Sequence, residues 1–190
     1  MQRAVMRHSN RVLVLCLLAL QLGLQQCFAQ DATKQTTLCE DGGPDAFALK
    51  ADSLPKAVVD AVMNTTEGKQ ARGDANEKGN ELHPEKALRA TRIRLSMDNA
   101  AVFLVIGSSS PLAAADASWF WVVRQDRTKA SVLLWMAGNC VELKASSIRG
   151  YRDIEVLWAS AGSERTSTYR YDGKAYQLVH SRIKDRGPND

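Results

Sequence analysis

Residues 166–183 read Thr-Ser-Thr-Tyr-Arg-Tyr-Asp-Gly-Lys-Ala-Tyr-Gln-Leu-Val-His-Ser-Arg-Ile. Tyr169 and Tyr171 fall on one face of an extended chain and Arg170 on the other, the period of two that a half-buried strand requires. Asp172-Gly173 interrupts the alternation with a pair that favours a tight reversal, so the stretch predicts a hairpin of strands 166–171 and 174–183. Aromatic side chains meeting across such a turn stabilise it by about 0.2–1 kcal/mol, and Tyr176 is expected near Tyr169.

The same cadence extends upstream. Ile93, Leu95 and Met97 alternate with Arg92, Arg94 and Ser96, and Asp98-Asn99 reads as a turn. Ala101 to Ile106 is continuously apolar, the mark of a strand buried on both faces. Gly107 to Ser118 is a loop of small residues. Trp119 to Arg124, Val132 to Met136, Cys140 to Lys144 and Ile154 to Ala159 complete about eight short strands. Short links favour antiparallel neighbours. The predicted class is α+β, an antiparallel β-meander with one N-terminal helix.

The helix is expected over Ser53 to Asn64, with Ser53 as cap, Pro55 in the first turn and Leu54, Val58, Ala61 and Val62 on one face. Residues 64–86 read as a polar, mobile linker. Within it Asp74, Asn76, Gly79 and Glu85 sit at positions 1, 3, 6 and 12 of a calcium loop, but Lys78 at position 5 cannot ligate a cation. Asn64-Thr65-Thr66 is a glycosylation sequon, relevant only in a eukaryotic host. The expected division is residues 1–29 as a signal, 30–87 as helix and linker, 88–185 as the β domain and 186–190 as a tail.

The signal reading rests on Arg3, Arg7 and Arg11 ahead of an apolar run from Val12 to Leu24, with Cys27 and Ala29 preceding the cleavage point. The run is too short for a stable membrane anchor. Gln25 and Gln26 disfavour lipidation of Cys27. Cleavage leaves 161 of 190 residues, and 22 basic against 21 acidic side chains. That near-neutral balance carries no basic stripe for nucleic acid. Arg89, Arg92 and Arg94 are the nearest to a cluster, and Arg92 and Arg94 read as the wet face of a strand. An exported chain with only Cys39 and Cys140 left is expected to join them, closing a loop of about 100 residues.

Gly150-Tyr151-Arg152-Asp153-Ile154, followed by Thr168 to Tyr176, resembles a pattern of exported bacterial β-rich proteins of unassigned function: G-Y-x-D-[IL], then T-x-Y-R-[YF]-D-G-x-x-Y. Trp119 to Arg124 is similar to theirs as well. The resemblance implies a periplasmic β-rich module and brings no catalytic residue with it. The residues themselves suggest turn maintenance, with Asp153 accepting backbone N–H bonds, or a recognition surface.

No catalytic set emerges from spacing. His83 and His180 are too few and too scattered for zinc, and there is no nucleophile elbow or phosphate loop. Glu142 and Glu155 could face each other across strands. Trp119 and Trp121 share a face, as core or as an aromatic platform. The expected function is an exported, periplasmic or secreted, non-catalytic binding or envelope-associated protein. It would use Trp119, Trp121, Tyr151, Arg152 and Asp153 toward an envelope protein or glycan, without cofactor, metal, nucleic acid or membrane span. The alternative is an inhibitor or immunity protein acting on a secreted hydrolase.

Overall fold

The computed structural model describes residues 35–42, 46–96, 100–113 and 117–185. The expected signal, the Asp98-Asn99 turn and the 186–190 tail lie outside them. Residues from Gln35 onward form one unit.

Among the described residues, ten strands make two five-stranded antiparallel sheets. The first sheet is a meander of β2 (Leu49–Lys50), β3 (Leu88–Ile93), β4 (Ala101–Gly107), β5 (Ser118–Asp126) and β6 (Lys129–Gly138). The second runs β7 (Cys140–Ile148), β8 (Tyr151–Ala159), β9 (Ser163–Tyr171) and β10 (Tyr176–Asp185), with β1 (Thr36–Cys39) beside β7. The eight expected strands are β3 to β10. The two further strands, β1 and β2, lie in the segment expected to hold only helix and linker. The division at residue 87 therefore separates nothing structural: each sheet takes one strand from the N-terminal side. Neither strand has a pattern of its own; pairing with β7 and β3 makes them strands.

The helical part also departs from expectation. A 3-10 turn, Ala51–Ser53, comes first, and Ser53 Oγ closes it on the Lys50 carbonyl (2.7 Å) instead of capping a helix. Helix α1 is Lys56–Met63 with Pro55 at the N-cap. The segment read as a linker folds into α2, Thr66–Glu77, and the one-turn α3, Pro84–Ala87. Thr65 caps α2, accepting from the Gly68 N–H (3.2 Å). The buried residues of α2 are Gly68, Ala71 and Ala75, so its packing face is small rather than greasy and leaves no apolar signature. Gly68 is required there, because a Cβ would sit 2.6 Å from the Val62 carbonyl oxygen. Asp74 and Asn76 are helical, which removes the calcium-loop geometry.

Two cores flank the first sheet. Val102, Leu104, Ile106, Phe120, Val122 and Met136 meet Val141, Leu143, Ile154 and Val156 of the second sheet. On the opposite face Leu88, Ala90, Phe103, Val105, Trp121 and Val123 meet Val58, Val62 and Met63 of α1. Burial on both faces accounts for the unbroken apolar run of β4, as expected. The layers are helices, first sheet, second sheet.

Candidate functional site

The inter-sheet core opens at one end into a cleft of about 540 Å3. Its floor is the aromatic ring of Phe47, which packs on Phe120 with ring centroids 6.1 Å apart, together with Ile106. Arg89, Gly107, Ser108, Ala113 and Ser118 form one side, and Glu40 and Asp41 belong to the facing wall.

Local sequence explains each wall. Cys39 and Cys140 are directly opposite in the β1–β7 ladder and joined by a disulfide, which pins the chain just before Glu40. The Glu40 N–H donates to the Asn139 carbonyl (2.9 Å), and Asn139 Nδ2 donates to Glu40 Oε1 (3.1 Å). On the other side the chain leaves β4 at Gly107, where a Cβ would stand 2.1 Å from the Leu112 carbonyl oxygen. Only glycine lets the returning loop lie this close. Leu112 is fully buried, and Ala113 bridges back to Ser118.

Ladder register aligns a row across the first sheet: Lys50, Arg89, Ile106, Phe120 and Met136. Directly opposed residues project on one face. Met136, Phe120 and Ile106 are buried in the core, whereas Arg89 and Lys50 are exposed. The row thus passes from apolar interior to a pair of exposed cations: Arg89, which lines the cleft, and Lys50, one strand beyond it. Neither cation has an ion pair or side-chain hydrogen bond among the described residues.

The residues expected to bind lie elsewhere, and most are packed rather than presented. Trp121 is fully buried against the helices, its Nε1 donating to Thr65 Oγ1 (3.2 Å). Trp119 is half-buried on the same face. Tyr151 is buried between the sheets and stacks on Tyr171 at 4.0 Å. Arg152 and Asp153 brace an irregularity in β7 between Leu143 and Ser147. There the Leu143 and Lys144 carbonyls accept from Arg152 Nη2 (2.6 Å) and Nε (2.7 Å). Burial lowers the pKa of this guanidinium. Asp153, also buried, accepts from Ser146 Oγ (3.0 Å) and Arg170 (3.2 and 3.3 Å), not from the backbone N–H groups expected. Tyr176 pairs with Tyr171 rather than Tyr169, because the loop holds four residues. The Tyr176 hydroxyl donates to the Arg152 carbonyl (2.7 Å), and burial pushes its pKa far up. These five residues do not converge on one surface.

Glu142 and Glu155 are directly opposite, as the alternation allowed. Lys144 Nζ stands 2.7 Å from Glu142 and 3.5 Å from Glu155. The hydrogen bond to Glu142 and the two carboxylate charges raise the Lys144 pKa against the opposing effect of burial. The group is an ionic cluster of two carboxylates bridged by one ammonium on the second sheet, and none of its residues lines the cleft. Among the described residues no cluster of three or more His, Cys, Asp or Glu could hold a metal, and no helix is long and apolar enough to cross a membrane.

Comparison with family models, with curated proteins and with solved structures gives no match.

The cleft has no signature in the sequence. Arg89 was legible as part of a basic group, but its neighbours were not. Lys50 sits on a two-residue strand, and Glu40, Asp41 and Phe47 come from a turn-rich segment that the disulfide carries to the sheet end.

Proposed function

We propose that the chain is an exported, non-catalytic binding protein that holds a small ligand in the mouth cleft. The observation that carries this reading is the cleft itself: an apolar floor continuous with the core, edged by a few polar and charged groups. That composition, at this volume, is typical of small-molecule sites. Export is supported by the basic-then-apolar start of the chain and by the disulfide, a bond that persists in oxidising compartments. The resemblance to exported bacterial β-rich proteins agrees with it.

The test is native mass spectrometry of the disulfide-bonded protein after incubation with a small-molecule extract of bacterial envelope. A bound species retained by the wild type and lost in Ser108→Trp, which fills the cleft from an exposed position, supports the reading. A wild type that retains nothing, or an unchanged Ser108→Trp, overturns it.

The inhibitor or immunity reading has one observation in its favour. The β7–β8 turn carries Ile148, 39% exposed, and Arg149, both on a hairpin tip. Capture of a secreted hydrolase by the wild type but not by Ile148→Asp would favour it over the cleft.

A further inference from the structure

The row that ends at Lys50 names the class of ligand; this step rests on the cleft reading above. We propose that the cleft takes a single-headed anionic amphiphile, with its apolar chain on Phe47 and Ile106 and its head group between Arg89 and Lys50.

Two like charges directly opposite in an antiparallel ladder repel each other and weaken it. Here the repulsion stands without an acidic side chain bonded to either cation among the described residues. An anion between them converts the repulsion into two attractions. The Arg89 fork suits a carboxylate or phosphate, which accepts two parallel N–H bonds from it. Ser108 and Ser118 add hydroxyls on the same side of the cleft.

The apolar part follows from the same register. Arg89 is directly opposite Ile106, and Ile106 is directly opposite Phe120, so Arg89 adjoins the floor without an intervening polar residue and Lys50 stands next to Arg89, one strand further out. A molecule long enough to reach both must be amphiphilic. The facing wall restricts it further. Glu40, tied to Asn139, and Asp41 repel a second anionic group, so a two-headed molecule is selected against.

Carboxylate and phosphate heads occur both on free amphiphiles and on membrane lipids, and the experiment separates the sources. Isothermal titration of the disulfide-bonded protein uses decanoate, decanol and decanedioate, and sedimentation uses vesicles of phosphatidylglycerol and of phosphatidylcholine. The expected result is decanoate binding about tenfold or more tighter than decanol or decanedioate. The preference disappears in Arg89→Glu and in Lys50→Glu, both of which keep the wild-type fold by circular dichroism because the side chains are exposed. Binding to phosphatidylglycerol vesicles alone, lost in the same variants, supports the proposal with lipid as the source. Equal binding of decanoate and decanol, both abolished by Ser108→Trp, overturns the anionic class and leaves the cleft reading standing. No binding of decanoate or of either vesicle overturns the proposal outright.

Discussion

Lys50 and Arg89 stand directly opposite each other across β2 and β3, two exposed cations in one register position, of which Arg89 lines the cleft. The arrangement costs stability in the free protein. Lys50→Glu places opposite charges in that position and is expected to raise stability by about 0.2–1 kcal/mol. Urea denaturation checks this as a higher midpoint with an unchanged slope. A lower midpoint would show that the two charges are not coupled as the register implies.

Arg152 is expected to matter for stability and not for binding. Arg152→Met leaves the Leu143 carbonyl, buried, and the Lys144 carbonyl, part-buried, without their guanidinium donors. A buried acceptor without a partner costs about 1–3 kcal/mol. Urea denaturation should show that loss, while decanoate titration stays within twofold of the wild type. A native midpoint with lost binding would instead return Arg152 to a recognition role.

The disulfide closes a loop spanning 101 residues. On the chain-entropy account a loop of about 100 residues is worth up to about 4.7 kcal/mol, mainly by restricting the unfolded chain. The Cys39→Ser/Cys140→Ser protein is expected to unfold at much lower urea, and its Glu40–Asp41 wall to exchange amide hydrogens faster. Unchanged protection at Glu40 would mean that the Asn139 contacts hold the wall alone.

Asp172 accepts from the Lys174 N–H (2.7 Å) and the Ala175 N–H (2.9 Å) in the β9–β10 loop. Those bonds, Ala175 first, hold its carboxyl below the ordinary carboxylate value. A pKa depressed on folding adds stability that is complete above the unfolded value of about 3.9 and is lost as pH falls through the folded one. Asp172→Asn should therefore lower the melting temperature at pH 7 and narrow its difference from wild type as the solution is acidified below that value. A gap that stays constant with pH would assign the effect to loop shape instead of charge.

Strands β3 to β9 were legible because each buries residues on one or both faces, and burial imposes a period or a continuous apolar run; β10, exposed beyond Tyr176, was legible from the turn that precedes it. The Asp172-Gly173 hairpin and the Cys39–Cys140 pair were legible for reasons equally local: turn chemistry in one case, a single possible pairing in the other. What was illegible depends on long-range partners. Helix α2 hides because Gly68, Ala71 and Ala75 pack by closeness instead of hydrophobic bulk. Strand β2 has two residues and no period, yet it supplies Lys50. The Trp119, Trp121, Tyr151, Arg152 and Asp153 set drew attention through residue type; type alone does not distinguish an aromatic or ion that packs from one that binds. Arg152 and Asp153 repair a strand irregularity that only the β7–β8 register reveals.

The most direct measurement is a 1H–15N correlation spectrum of the disulfide-bonded protein titrated with decanoate. The account expects the largest shifts at the amides of Lys50, Arg89, Gly107, Ser108 and Ser118, with little change at Arg152, Asp153 or the Ile148–Gly150 tip. Shifts centred on that tip or on β10, or a spectrum unaltered at saturating decanoate, would contradict it.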